Sequence, residues 1–162
     1  MAAQDAVIEH PNRRKAASKL TKALVVLLLL ASAGLVAIVT IGGWDALQGA
    51  KAVQVGYVVL YVGMAFLVAR WNRGVLPVAA ALAIVMLIFA AIAGPAWFER
   101  DKEGFTDSAL DPSLLGLVTL LIVPVQALLI LAAMSGFRQA WNVEVERPPA
   151  AEGRTRAVPQ AS

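Results

Sequence analysis

The residue types that most often carry chemistry are scarce in this 162-residue chain. It has no cysteine, which excludes disulfides, thiolate metal sites and Cys-x-x-Cys-His haem attachment. Its one histidine, His10, lies in a polar N-terminal segment, so a bis-histidine haem or a multi-histidine metal site cannot form within one chain. We interpret His10 as a solvated residue, with pH sensing or metal binding as the alternative.

Recognisable catalytic motifs are also missing. The chain has no glycine-rich phosphate loop, no nucleophile elbow and no His-Glu-x-x-His pattern. Asp107 and Asp111 could hold a cation, but they lack the spacing of a calcium loop, so we expect a solvated loop. The sequence therefore disfavours an enzyme and predicts no catalytic residue, no cofactor and no metal ligand.

Neutral polar residues in apolar surroundings are the remaining candidates for specific contacts: Gln54, Tyr57, Tyr61, Thr119 and Gln126. The first three share one helical face by their spacing, and the last two, seven residues apart, share another. Tyr61 and Gln126 lie at similar depth when counted from the helix ends, so we predict that the two faces meet. Pro124 denies the Leu120 carbonyl its helical hydrogen bond and predicts a kink.

These polar residues allow two interpretations. Side chains of this kind hold membrane helices together, each contact contributing on average about 0.6 kcal/mol and at most about 1.7 kcal/mol. Alternatively, Tyr57, Tyr61, Thr119 and Gln126 line a small cavity for a neutral or lipid-like ligand. Positions that face lipid by chance are the third possibility.

The elements that must position these residues are four apolar segments, at about residues 23–41, 48–69, 75–97 and 114–135. About 20 apolar residues cross a hydrocarbon core of roughly 30 Å as a helix. The composition agrees, because 59% of the residues are apolar and 15% are charged, against roughly 45–50% and 25% in soluble domains. We predict an all-α, membrane-embedded four-helix bundle with antiparallel, up-down-up-down order.

The apolar parts of these segments contain no Asp, Glu, Lys, Arg or His, once the second is counted from Ala52. Proton relays, ion-coupled transport and voltage sensing usually depend on such residues, so their absence disfavours those functions. The net charge of +3 does not indicate nucleic-acid binding, because the basic residues flank the apolar segments and form no long patch.

Local signals predict where the helices begin and end. Asp45 and Gln48 resemble a capping box that opens the second helix. The Gly94-Pro95 pair is expected to bend or end the third helix. Asp111 as N-cap and Pro112 at the first helical position are expected to start the fourth.

Charge predicts the orientation. Eleven of the 14 Lys and Arg residues fall in the two tails or in the connection after the second helix, so both termini are predicted to be cytoplasmic. Indole rings favour the boundary between water and lipid, and all four tryptophans fall at predicted helix ends. We interpret these residues as interfacial anchors: Trp44, Trp71, Trp97 and Trp141.

Outside the four-helix domain (residues 23–137) we predict two tails. Residues 1–22 form a basic, partly disordered tail, and residues 138–162 form a second tail that is disordered from about 148. A secretory signal peptide is the alternative for the first segment, with Ala50-Lys51-Ala52 as its cleavage site. The apolar region of such peptides usually has roughly 7–15 residues, and the run in this chain is longer. It also ends well before the Ala-x-Ala site, so we favour a retained span.

Small residues four positions apart allow helices to approach closely. Such pairs are Ala33/Ala37, Ala79/Ala83 and Ala90/Gly94. They fit packing within the chain as well as a homodimer contact.

The last segment resembles a family. The run from Ala109 through Pro112, Pro124 and Gln126 to Asn142 is similar to the last span of small, uncharacterised four-helix membrane proteins of actinobacteria. The resemblance extends over about residues 20–146. It implies a bacterial plasma-membrane location and supplies no activity.

The sequence thus predicts a multi-pass membrane protein that acts as a structural or accessory subunit. The alternative is a small oligomeric transporter or channel component, or a lipid-binding protein with a neutral polar pocket between helices two and four. Expected partners are membrane lipids and a larger membrane complex or further copies of the chain, without nucleic acid.

Overall fold

The computed structural model describes residues 7–100 and 108–147. Four long helices dominate these ranges, and they are long and apolar enough to cross a membrane, which fits a multi-pass membrane protein. The elements in chain order are β1 (Val7–Glu9), α1 (Pro11–Arg14), α2 (Ala16–Gly42), a 3-10 turn (Gln48–Ala50), α3 (Lys51–Ala69), α4 (Val75–Glu99), α5 (Pro112–Arg138) and β2 (Val145–Arg147). The predicted disorder of residues 1–6 and 148–162, and the Asp107 half of the candidate cation pair, lie outside the described residues.

Helix α2 begins at Ala16, earlier than the predicted residue 23. Its first turns are held by the other end of the chain, because Ser18 is buried and Gln139 Nε2 donates to Thr21 Oγ1 at 2.8 Å. Local apolarity could not predict these turns, since a tertiary contact stabilises them.

Helix α3 starts without the predicted capping box. A 3-10 turn precedes it, and no side chain caps either the turn or the helix. The loop before α3 is held by a residue from the end of α4, because Arg100 Nη1 donates to the Ala46 carbonyl at 3.3 Å.

The end of α3 is unusual, because Trp71 has a left-handed backbone with φ 65°. The N–H of Asn72 donates to the Leu67 carbonyl and that of Trp71 to the Val68 carbonyl, which together make a Schellman cap. Glycine usually occupies the Trp71 position of this cap, since a bulky side chain is strained there. The indole must therefore be held by its packing.

Helix α4 continues through Gly94-Pro95 to Glu99, so of the two predicted outcomes, a bend or an end, the end is wrong. One missing N–H removes a single hydrogen bond, and the packing of α4 on α5 keeps the helix intact. A Cβ atom at Gly94 would lie 2.5 Å from Leu120 Cδ2, so glycine is what lets α5 approach.

Helix α5 has the predicted start. The Asp111 carboxylate accepts from the N–H groups of Ser113 (2.8 Å) and Leu114 (3.3 Å), and Pro112 is the first helical residue. Hydrogen bonds from the Ser113 side chain and from these backbone groups lower the pKa of Asp111 below its ordinary value. The helix then runs unbroken to Arg138, with Pro124 inside it.

Helix α5 is the central element of the bundle. It packs along α4 and α2, α2 also packs along α3, and α3 and α4 touch only sparsely. The small residues Ala79, Ala83, Ala90 and Gly94 are buried, so packing within the chain accounts for these predicted pairs. The sparse contact between α3 and α4 leaves the bundle open on one side.

The segments at the two ends of the chain form what we call the terminal clamp, made of β1, α1, residues 139–144 and β2. Strands β1 and β2 pair antiparallel, with Ile8 opposite Glu146, which adds a two-stranded sheet to the predicted all-α fold. Asn12 Nδ2 donates to the Ala140 carbonyl at 3.0 Å, and Arg13 Nε donates to the Trp141 carbonyl at 3.1 Å. The pairing of the two tails was not predicted, because it has no local sequence signal.

Candidate functional site

The five predicted polar residues separate into two groups in the structure. Tyr61 and Gln126 meet in the centre of the bundle, where both side chains are 0% exposed. Gln54, Tyr57 and Thr119 lie on the other side of Tyr61, toward the end of the bundle where α3 begins. The rings of Tyr57 and Tyr61 join the two groups by an edge-on contact, with centroids 5.6 Å apart at 74°.

The central group is a directed chain of hydrogen bonds. The Tyr61 hydroxyl donates to Gln126 Oε1 at 2.9 Å, and Gln126 Nε2 donates to Ser32 Oγ at 2.9 Å. Ser32 then donates to the Leu28 carbonyl within its own helix at 2.7 Å. Three spans, α2, α3 and α5, are thereby tied together in a water-poor interior, which fits the packing interpretation.

Sequence reasoning missed Ser32. A signal for it existed, because Ser32 falls at helical spacing between the apolar residues Leu29 and Val36, both of which are buried. A lone serine in a span is common, and its partner on α5 is 94 positions away, so only the fold brings the pair together.

The second group lines a cavity of about 390 Å³, which we call the lateral groove. Its floor consists of buried residues from all four long helices: Val36, Val39, Tyr57, Met86, Ala90, Trp97, Thr119 and Ile122. Its edges, Val53 on α3 and Phe89 and Ile92 on α4, are between 53% and 70% exposed. The groove therefore opens sideways between α3 and α4, where these helices make few contacts.

The groove differs from the predicted pocket in position and in part of its lining. The sequence suggested a cavity between the second and fourth spans, α3 and α5, lined by Tyr57, Tyr61, Thr119 and Gln126, of which Tyr57 and Thr119 line the groove. The groove instead lies between α3 and α4, and α5 contributes Thr119 and Ile122 to its floor. Tyr61 and Gln126 do not line it, because their side chains are used in the hydrogen-bonded chain.

Polar groups on the groove wall are only partly used. The Thr40 hydroxyl lies 2.7 Å from Gln54 Oε1, and the Thr119 hydroxyl donates to the Leu115 carbonyl at 2.7 Å. Within the described residues, the Tyr57 hydroxyl and the Gln54 amide nitrogen make no hydrogen bond. These donors stand three residues apart on α3, so one ligand could reach both.

A positively charged side chain, that of Arg100, lies at the mouth of the groove. The Arg100 guanidinium lies 5.2 Å from the centroid of the Trp97 ring, which is seated against Gly43. A Cβ atom at Gly43 would lie 2.6 Å from this indole, so a larger residue would displace it. Of the described residues that line the groove, Arg100 alone is charged.

Two of the four predicted interfacial anchors are buried. Trp97 is 5% exposed at the groove, and Trp141 is 0% exposed in the terminal clamp. Trp141 lies edge-on to Trp71, with centroids 5.4 Å apart at 85°, and donates to Gln139 Oε1 at 3.0 Å. Trp44, at 43% exposure, presents its ring as an anchor would.

Comparisons of the chain with protein-family models, with curated proteins and with solved structures each find no match. The geometry itself indicates what the site can do. The groove offers an apolar floor, two hydrogen-bond donors and a cation at one end, which suits an amphiphilic ligand.

Proposed function

We propose that this chain is a non-catalytic accessory subunit of a bacterial plasma membrane, which packs through its first span against a transmembrane helix of another protein. Its four spans are antiparallel, and both termini face the cytoplasm. The four helices that are long and apolar enough to cross a membrane support a membrane location.

The orientation is supported by contacts at the two ends of the bundle. Strands β1 and β2, which precede the first span and follow the last, are paired and therefore lie on the same side. Arg73 Nε donates to the Phe137 carbonyl at 2.8 Å on that side, within the region that is rich in Lys and Arg. The positive-inside rule makes this side cytoplasmic.

The chain has no cysteine, so single cysteines can report this orientation. We expect a membrane-impermeant maleimide to label Ser108→Cys in intact cells and to label Asn72→Cys only after lysis. The reverse pattern, or labelling of both sites in intact cells, contradicts the proposed topology.

The exposed face of α2 is the surface that contacts the partner protein. Exposed apolar residues recur on it at alternating spacings of four and three, and we call this set the α2 seam: Leu20, Leu24, Leu27, Ala31, Gly34, Ile38 and Ile41. These residues form a continuous apolar stripe on the outward face of α2, along which a partner helix can pack.

Gly34 in the middle of the seam is the observation that favours a partner. A Cβ atom at this position would meet nothing within 4 Å, so no contact inside the chain requires glycine. Glycine in a helix costs about 0.5–1 kcal/mol relative to alanine, and small residues are what allow transmembrane helices of different chains to approach.

The test is purification of the tagged chain in mild detergent, followed by native mass spectrometry. We expect the wild type to retain a membrane-protein partner, and Gly34→Leu to lose most of it, because the added side chain separates the helix backbones. Ala91→Leu adds a side chain at an exposed position of α4 and is the matched control. A wild-type chain that is monomeric and alone, or equal retention by both variants, contradicts the proposal.

A further inference from the structure

We propose that the lateral groove is a binding site for one acyl chain of a membrane glycerophospholipid, with the lipid phosphate at Arg100 and an ester carbonyl at Tyr57 and Gln54. This assignment is independent of the α2 seam, because the groove lies between α3 and α4.

The depth of the groove matches one leaflet of a bilayer. Arg100 and Met86 mark its two ends on α4. Their separation of 14 positions corresponds to about 21 Å along a helix. One leaflet, half of a bilayer that is roughly 40–45 Å thick with its headgroups, measures about 20–23 Å. A ligand that fills the groove therefore extends from the headgroup region to the middle of the membrane.

The size of the groove favours an extended chain over a helix. The groove has a volume of about 390 Å³ spread over the depth of one leaflet, so it is long and narrow. This volume falls within the roughly 300–1,000 Å³ of small-ligand sites. A helix with its side chains is about 10–12 Å wide, whereas a linear hydrocarbon chain is narrow along its whole length. A linear hydrocarbon chain fits both dimensions.

The polar side chains of the groove wall lie at the depth at which a phospholipid has its ester carbonyls. Gln54 and Tyr57 stand three and six positions into α3 from Lys51, which is about 5–9 Å along the helix. The headgroup region of a leaflet is roughly 5–8 Å thick, so ester carbonyls lie at this depth. Carbonyl oxygens only accept hydrogen bonds, and the unused groups on the groove wall are donors.

The positive charge at the mouth of the groove indicates where the lipid phosphate binds. Arg100 lines the mouth, and one of its N–H groups is used by the Ala46 carbonyl. A guanidinium carries five N–H donors in a geometry that matches phosphate oxygens. Glu99, the exposed carboxylate that precedes Arg100 in the chain, does not line the groove, and Asp101, which follows Arg100, lies outside the described residues.

The opening gives a lipid direct access from the membrane. Phe89 and Ile92 form an apolar edge on α4, and the floor behind them is buried. An acyl chain can enter between α3 and α4 without leaving the hydrocarbon phase. Its headgroup meanwhile remains at the surface beside Arg100.

The test uses the full chain in vesicles of dioleoylphosphatidylcholine that contain a minor fraction of dioleoylglycerol, followed by native mass spectrometry in mild detergent. We expect one phosphatidylcholine per wild-type chain, retained in preference to the diacylglycerol, which has the same esters and no phosphate. Ala93→Phe, which fills the groove from an exposed lining position, should lower this retention about tenfold.

The matched control is Ala91→Phe, an equal change two positions away that does not line the groove. It should retain lipid as the wild type does. Tyr57→Phe removes one hydroxyl with little change in packing and should weaken retention several-fold. Arg100→Gln should remove the preference for phosphatidylcholine over diacylglycerol.

Three results would overturn the assignment. Equal retention by Ala93→Phe and Ala91→Phe would place the lipid elsewhere. Equal retention of both lipids by the wild type would show that the phosphate does not contribute to binding. Loss of bound lipid when a second copy of the chain associates would identify a protein as the occupant.

Discussion

The two ends of the helical bundle use the same kinds of side chain in opposite ways. At the clamped end, Trp71 and Trp141 are packed edge-on under paired terminal strands. At the open end, Trp97 forms part of the floor of a groove that faces the membrane. The polar residues differ likewise, because Tyr61 is fully used in a hydrogen-bonded chain and Tyr57 keeps an unused hydroxyl.

This difference shows that burial alone does not identify a binding residue. Tyr57 and Tyr61 lie one turn apart on α3 and both are buried. What separates them is the neighbouring helix, since Tyr61 meets Gln126 of α5, whereas Tyr57 faces the gap that α4 leaves open. Stability is therefore expected to depend on the clamped half, and ligand binding on the open half.

The largest expected effect is at Trp141. Replacing this fully buried residue by alanine leaves a cavity under the terminal clamp and removes its contact with Trp71, so Trp141→Ala should lower the free energy of unfolding by about 3–5 kcal/mol. Trp44→Ala removes the same side chain from an exposed position at the other end and should cost less than about 1 kcal/mol. Denaturant unfolding in micelles measures both, and similar costs would disprove the contrast between the two ends.

A smaller effect is expected from the two glutamines. Gln126→Leu removes the bonds to Tyr61 and Ser32, and two contacts at about 0.6 kcal/mol each predict a loss of about 1–2 kcal/mol in the free energy of unfolding. The same change at Gln54 removes only the contact with Thr40 and should cost about 0.6 kcal/mol or less. If the Gln54 variant were the less stable of the two, the open half would hold the bundle together.

Part of this arrangement was predictable from the sequence. The long apolar runs predicted four helices, and the spacing of Tyr61 and Gln126 on their helices predicted facing stripes. The Asp111-Pro112 pair predicted the start of α5, because an N-cap depends on neighbouring residues alone. The start of α2 was missed, since its first turns are held by Gln139 from the far end of the chain.

The binding site was less predictable than the helices. Gln54, Tyr57 and Thr119 were among the candidates, but Arg100 was not. The groove depends on α3 and α4 staying apart although a short connection joins them. No residue in that connection predicts such a gap, because the gap depends on how the helices pack, with α4 close to α5 and only sparsely in contact with α3.

The sequence by itself determined the number of apolar helices, their approximate ends and the polar stripes on two of them. These properties depend on composition and on periodicity over neighbouring residues, which a single helix already has. The tertiary structure decided which helices became neighbours. It thereby closed Tyr61, Gln126 and Ser32 into one chain of hydrogen bonds, buried Trp141 under the terminal clamp, and left Tyr57 facing an open groove. Such outcomes depend on distances between residues far apart in the chain, and helix packing sets those distances.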